Sequence, residues 1–405
     1  MNVFNKEKTI ILIETRQELI NYCQLILQET EVAIDTEFDR NRIRYGLNLC
    51  VVQIATSTHC YIIDPIKICQ SDAQYQEYLA PLWEIVNSPN VVKIIYDCSE
   101  DLKVFMKYQC RPTRFFDLKV AEKVLALPSI SFVTLIKHIA DIDLNKNLQV
   151  TNWYKRPFSK EMVQYLANDV NFLIEVKQVL QTMLDETDRN KWFDEEMTLI
   201  ISKQAKDTED GLEKFGSSAR YKQLTETEKF IAMELWKLRT EFAKKYNTPV
   251  HYVFSEDKLL QITSELKHFS TLRSWEEEKN IHRRLKEYDN AKFVKRLNDI
   301  LNQSTQYIPP KNSDKTNFYP REHRTFDSDA AKIEREAFKQ YMLPIQEYLE
   351  QKYDKRTQEI ILSNRYVQDL FKTKRLNILK SYAINEVISA AQALQIDLSK
   401  YLKMD

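Results

Sequence analysis

Val32-Ala33-Ile34-Asp35-Thr36-Glu37-Phe38 is an apolar run that ends in two carboxylates at i and i+2. In a strand, alternate side chains project from one face, so Asp35 and Glu37 stand side by side. Adjacent carboxylates repel unless a divalent cation lies between them, and the end of a buried strand offers little solvation. The same D-x-E spacing recurs at Asp194/Glu196 and Asp207/Glu209, where a solvated surface is expected.

Around this stretch, residues 1–206 alternate between strand and helix signals. Strands are expected at 9–13, 32–35, 48–55, 59–63 and 91–95. Helix patterns follow the first strand through about Gln28, cover roughly 75–86, and run onward from Ser99. One long helix is expected from Ser159 to about Asp185, because Met162, Tyr165, Leu166, Asp169 and Leu173 recur at three- and four-residue spacing. Early strands in meander order, then strand–helix alternation, predict an α/β unit: a mixed sheet flanked by helices.

Beyond it the chain reads as all-α. Residues 207–220 are polar and hold two of the three glycines, the pattern of a linker. A helical segment follows at 221–302, opened by the capping-box spacing Thr225-Glu226-Thr227-Glu228 ahead of an apolar-periodic run to Tyr246. A second linker is read at 303–328, with Pro309, Pro310 and Pro320, and a second helical segment at 329–405. The two segments look like weak copies. In each, a long helix ends in tyrosine (Tyr246, Tyr353), then an apolar–Ser step (Phe254-Ser255, Leu362-Ser363) precedes an apolar residue four positions on (Leu259, Val367).

Composition removes several functions. Only 3 of 405 residues are glycine, against about 28 in an average chain of that length. Neither a G-x-G-x-x-G turn nor a phosphate-cradling G-x-x-x-x-G-K-[ST] loop can be built from Gly46, Gly211 and Gly216, so no nucleotide cofactor is expected. The 59 basic and 59 acidic residues cancel, but not evenly: residues 1–200 carry 22 basic and 28 acidic, a net of −6, and residues 201–405 a net of +6. That asymmetry fits one part that holds cations and another that meets polyanions. All six cysteines lie in the first 110 residues without a C-x-x-C pair, which predicts reduced, buried thiols. The charged start Asn5-Lys6-Glu7-Lys8 and the lack of a membrane-length apolar run lead to the expectation of a cytoplasmic protein with no membrane segment.

Two further stretches carry acids. Ser99-Glu100-Asp101 follows the apolar run Val91–Ile95 and opens a helix, where carboxylates are favoured by the dipole. Gln164-Tyr165-Leu166-Ala167-Asn168-Asp169 places Tyr165 and Asp169 on one helical face, and Asp169 shares that face with apolar neighbours, where a buried acid wants a partner.

Taken in order, Asp35, Glu37, Asp101 and Asp169, with a tyrosine four residues before the last, resemble the four-acid 3'-5' exonucleases of the tyrosine subclass. More closely, the chain resembles the ribonuclease D family. Asp35-Thr36-Glu37-Phe38, Ser99-Glu100-Asp101-Leu102-Lys103-Val104-Phe105 and Tyr165-Leu166-Ala167-Asn168-Asp169-Val170 look like its three motifs, and Asn152-Trp153 through Arg156-Pro157 like the segment before the third. The helical segments resemble helicase-and-RNase-D C-terminal (HRDC) domains, present twice. Tyr96 stands where the family usually carries histidine.

The resemblance implies an RNase H-like exonuclease domain followed by two HRDC domains. It also implies a monomer that hydrolyses RNA 3' ends, precursor tRNA among them, to nucleoside 5'-monophosphates. Four carboxylates can hold two Mg2+ or Mn2+ ions about 3.5–4 Å apart and so activate a water against the scissile phosphate. By resemblance, the Tyr165 hydroxyl orients that water. Arg40, Arg42 and Arg44, just after Glu37, are candidate phosphate contacts, and Tyr96, Trp153, Arg156, Arg283, Arg284, Lys374 and Arg375 are further candidate RNA contacts. His282, Lys286, Lys292, Lys295 and Arg296, with Lys372 and Lys380, extend the basic set. Two other readings stay open: a DNA-directed 3'-5' exonuclease, since no 2'-hydroxyl reader is visible, and a non-catalytic nucleic-acid-binding scaffold, for which four converging carboxylates have no use.

Overall fold

A computed structural model describes residues 8–128, 131–143, 151–204, 211–266, 283–306 and 329–403. Six strands form one sheet: β1 (Thr9–Ile13), β2 (Glu31–Arg40), β3 (Leu47–Ala55), β4 (His59–Ile63), β5 (Val92–Ile95) and β6 (Phe115–Asp117). Their order is β1-β4-β3-β2-β5-β6. The mixed sheet flanked by helices is as expected: β1 runs parallel to β4, β4 antiparallel to β3, and β2, β5 and β6 parallel to one another. Every residue of β3 is buried, as its nearly uniform apolar sequence requires of a strand covered on both faces.

The helices used below are α1 (Arg16–Ile26), α2 (Ser99–Lys107), α3 (Leu118–Val124), α4 (Lys160–Asn171), α5 (Leu173–Glu186), α6 (Asn190–Gln204), α7 (Glu226–Tyr246), α8 (Glu256–Leu266), α9 (Asn290–Gln306), α10 (Asp329–Lys352), α11 (Lys355–Leu362), α12 (Asn364–Thr373) and α13 (Ser381–Ala393). The single helix expected from Ser159 is two helices, α4 and α5, broken at Phe172. The buried Lys8 ammonium takes the Asn171 carbonyl at 2.5 Å, a competing donor at the point where the ladder stops. Among the described residues no helix is long and apolar enough to cross a membrane. All six cysteines are free and buried.

The chain divides into two compact units, one drawn from Met1–Thr36, Val51–Ala205 and Pro320–Asp405, the other from Glu37–Cys50 and Lys206–Tyr319. The continuous strands β2 and β3 run through that division. In the first unit, α6 packs against α13, and α3 meets α11. Glu196 of α6 is only 4 % exposed. It accepts from Lys123 Nζ at 3.0 Å, from Lys380 Nζ, and from Tyr382 Oη at 2.8 Å. Its neighbour Glu195 caps the start of α13 by accepting from the Ser381 and Tyr382 backbone N–H groups at 2.7 and 3.2 Å. The solvated surface expected at Asp194/Glu196 is therefore wrong for Glu196, a buried anion made tolerable by two cations and a phenol. Asp207 and Glu209 lie outside the described residues.

In the second unit, Thr225 and Glu228 form the expected capping box, and α7 ends at Tyr246 with Asn247 in the left-handed region. Residues 211–222, partly read as linker, form two short helices, and Phe215 stacks on Trp236 at 4.4 Å. The apolar–Ser step has one physical meaning in both helical segments. Ser255 and Ser363 each accept from a backbone N–H of the next helix, at 3.1 and 3.2 Å, while Phe254, Leu259, Leu362 and Val367 are buried.

Candidate active site

Because β2, β5 and β6 are parallel, their carboxyl ends share one edge of the sheet, where open α/β folds place ligands. The strand expected to stop at Asp35 runs on to Arg40, so Asp35 and Glu37 stand in the middle of β2, just past the residues Glu31–Ala33 that pair with β5. Asp101 stands in the first turn of α2, and β6 ends in Asp117. Across from β2, α4 presents Tyr165 and Asp169, one turn apart. Carboxylate oxygens of Asp35, Glu37 and Asp169 lie within 4.8 Å of one another, all three half-buried. At an effective dielectric of ~20 such a separation costs each ionised pair about 3 kcal/mol. Three converging, partly desolvated oxygens fit a hard divalent cation, whose ligands are oxygens of this kind.

Asp101 is held beside that group. It is 5 % exposed, and its Oδ1 accepts from Thr36 Oγ1 at 2.5 Å, the residue between Asp35 and Glu37. Burial pushes its pKa up to about 7, opposed by the Thr36 hydrogen bond and helped by the charges of Asp117 and Asp97. Asp117, also buried, fixes the turn that leads into α2. Its carboxylate accepts from the backbone N–H groups of Asp97, Cys98 and Lys119 at 2.9, 2.8 and 2.9 Å. Asp97 sits in the left-handed region with φ 62°, as the turn requires. Neither Thr36 nor Asp117 is among the site residues expected from sequence; their signals are the hydroxyl between the two acids of the first motif and an acid ending a short strand.

Tyr165 is buried, its ring 5.8 Å from that of Trp153. Trp153 is itself only 4 % exposed. Arg156 turns inward: Nη2 donates to Asp64 Oδ1 at 2.8 Å, Nε to Asp64 Oδ2, and the guanidinium lies 4.0 Å from the Phe158 ring.

The other expected contacts are scattered. Arg40, Arg42 and Arg44 are exposed, on a loop organised by buried Asp39, which accepts from the N–H groups of Arg42, Ile43 and Arg44 at 3.0, 3.1 and 2.8 Å. Tyr96 is half-buried with its ring 5.3 Å from Phe132; burial and Glu122 push its hydroxyl pKa up. Arg283 and Arg284 are exposed, Arg283 paired with Glu287 at 2.6 Å. Lys374 lies over the Phe371 and Phe338 rings at 4.0 and 5.0 Å and Arg375 is exposed. Lys292 and Arg296 share Glu241 at 3.0 and 3.2 Å. His282 lies outside the described residues.

The first unit also contains a cavity of about 880 Å3, bounded by Asp97 and Ser99 before and at the start of α2, Lys119 and Lys123 of α3, Arg356 of α11 and Arg365 of α12.

Residues 10–185 match the family model described as 3'-5' exonuclease. Ribonuclease D of Jannaschia sp. (strain CCS1) is 31 % identical over 258 residues, which cover 62 % of this chain and 64 % of that protein. Ribonuclease D of Desulfotalea psychrophila is 28 % identical over 262 residues, 62 % of this chain and 66 % of that protein. The chain thus spans just under two thirds of the length of these curated relatives. The solved structure of Escherichia coli RNase D shares the fold, with a TM-score of 0.69 at 19 % identity over 98 % of this chain and 100 % of that one. Residues 10–185 are thus similar to the 3'-5' exonuclease family, and the chain is similar to ribonuclease D, as its motifs led one to expect.

Proposed function

We propose that this chain is a metal-dependent 3'-5' exoribonuclease that releases nucleoside 5'-monophosphates from RNA ends, precursor tRNA among them. The observation that carries the reading is the convergence of Asp35, Glu37 and Asp169 oxygens within 4.8 Å, on a segment that matches the exonuclease family. The E. coli relative is described as an exoribonuclease involved in structured RNA processing, which supports RNA as substrate.

Asp35, Glu37, Asp169 and Asp101 would hold divalent cations, two by the family pattern; bound there, Mg2+ or Mn2+ supplies charge neutralisation at phosphate and a more acidic water. Asp101, held by Thr36, must be ionised to take part. Tyr165 acts through its hydroxyl on the attacking water. A free phenol has a pKa near ~10, so it serves by orientation rather than as the base. The loop of Arg40, Arg42 and Arg44 offers guanidinium groups to phosphates upstream of the cut. Lys119, Lys123, Arg356 and Arg365 at the 880 Å3 cavity are exposed and are candidate phosphate contacts, beside the exposed acids Asp97 and Glu359 and the buried Asp117, Glu122 and Glu196.

Matched 5'-labelled RNA and DNA strands, incubated with Mg2+ or Mn2+ and with Asp101→Asn as control, test the reading. Stepwise shortening of RNA by the wild type alone is expected. Shortening of DNA instead would make it a deoxyribonuclease, and no metal-dependent shortening of either strand would leave only a binding role.

A further inference from the structure

We propose that Asp64 and Arg156 are positioning residues for the reaction, acting on Tyr165 through Trp153. The inference rests on the nuclease reading and on Tyr165 serving it.

Asp64 follows β4 and is fully buried. Its backbone N–H donates to the Ile13 carbonyl at 2.9 Å, which ties it to the sheet. Its Oδ1 accepts from the N–H groups of Ile66 and Lys67 at 3.1 and 3.2 Å, so the carboxylate has one fixed orientation. Arg156 meets it with two guanidinium nitrogens, the bidentate geometry that a lysine cannot copy. The remaining nitrogen, Nη1, donates to the Trp153 and Lys155 carbonyls at 2.6 and 2.9 Å. Residues 151–159 contain neither helix nor strand, so no ladder holds Trp153 in place. The Asp64–Arg156 pair takes over that task, and the Trp153 indole then packs at 5.8 Å against the Tyr165 ring. Tyr165 sits one turn before Asp169. A phenol that orients water has to be held to a fraction of an ångström. An Arg–carboxylate pair fixed to the sheet is stiff enough to do so.

A direct contact between Arg156 and RNA is the competing explanation, and the two make different kinetic marks. The test is a double-mutant cycle on the full chain, using a labelled RNA oligonucleotide at saturating Mn2+. Arg156→Lys is expected to lower kcat roughly tenfold and leave KM within about twofold, the split of a residue that acts on the water rather than on substrate binding. In a Tyr165→Phe background the same change is expected to cost less than about twofold, because the hydroxyl it positions is gone. Unfolding midpoints are measured for each variant. Asp64→Asn keeps an oxygen for the Ile66 and Lys67 N–H groups and carries the same cycle should Arg156→Lys fail to fold. Equal losses in both backgrounds, or a raised KM with kcat intact, overturn the inference alone. A wild type that shortens no RNA with either metal overturns it together with the nuclease reading.

Discussion

The Thr36 hydroxyl donates a 2.5 Å hydrogen bond to the Asp101 carboxylate across 65 residues of sequence. The contact joins the middle of the first acidic motif to the second. It also works against desolvation, which on its own favours the protonated acid.

Removing that donor should move the pH dependence in a defined direction. Asp101 loses its proton near pH 7 in the metal-free protein, and a ligand to a cation must be ionised. Metal affinity should therefore fall as pH drops below about 7. A hydrogen bond to a charged group is worth about 1.5–3 kcal/mol, or about one to two pH units. In Thr36→Val the half-saturating Mn2+ concentration should rise, and the acidic limb should shift to higher pH by about that amount. Thr36→Ser should restore the wild-type limb. An unshifted limb in the valine variant would show that the hydroxyl does nothing for Asp101.

Neutralising one of the converging acids should have opposite effects on stability and activity. Asp35→Asn relieves repulsion of about 3 kcal/mol per ionised pair at full strength, less after solvent screening. The metal-free variant is thus expected to unfold at a higher temperature than the wild type in EDTA. With Mn2+ the order should reverse, since binding at 100 times Kd adds about 2.7 kcal/mol to the wild type. Activity of the variant should be lost. Thermal scans with and without metal decide it, and a variant no more stable in EDTA would mean that these carboxylates already share a proton.

The parts of this arrangement that were legible in the sequence are those set by local periodicity. Asp35 with Glu37 follows from the two-residue repeat of a strand, and Tyr165 with Asp169 from the helical turn. What escaped notice depends on partners remote in sequence. The sequence pattern points Arg156 toward RNA, yet the acid it grips lies 92 residues earlier. Glu196 looked like solvated surface because two of its partners, Lys380 and Tyr382, lie 184 and 186 residues away. The break between α4 and α5 has the same origin, since Lys8 reaches Asn171 across 163 residues. Long-range polar pairing leaves no period to read.

Lys93 supplies a pH test away from the acidic site. It is fully buried in β5, and its ammonium donates to the Ser88 and Val91 carbonyls at 2.6 and 2.8 Å. Burial, aided by nearby Arg114, lowers its pKa to about 8. An unfolded lysine keeps its proton to about 10.4. Between those values the unfolded chain binds more protons, so stability rises with pH, by at most about 3 kcal/mol in all. Below about pH 8 the cost of the buried charge is fully present. Urea unfolding at pH 7.5 and 9.5 should show this gain in the wild type relative to Lys93→Met. A difference independent of pH would place the titration elsewhere.

The arginine loop separates two contributions to RNA binding, charge and order. Asp39 accepts three backbone N–H groups and so sets the loop, while Arg40, Arg42 and Arg44 point their exposed side chains outward. Each phosphate neutralised on a single strand contributes about 0.7 to the slope of log K against log salt. Replacing all three arginines by glutamine should reduce that slope by up to about 2 and weaken binding most at low salt. Asp39→Ala keeps every positive charge and removes the acceptor together with its negative charge. It should weaken binding at all salt concentrations, because RNA must then order the loop, yet leave the slope unchanged. Filter binding of a noncleavable RNA from 50 to 300 mM salt distinguishes them. If the triple variant keeps the wild-type slope, the phosphates are gripped elsewhere, and the exposed cations of the cavity rim are the next set to reverse.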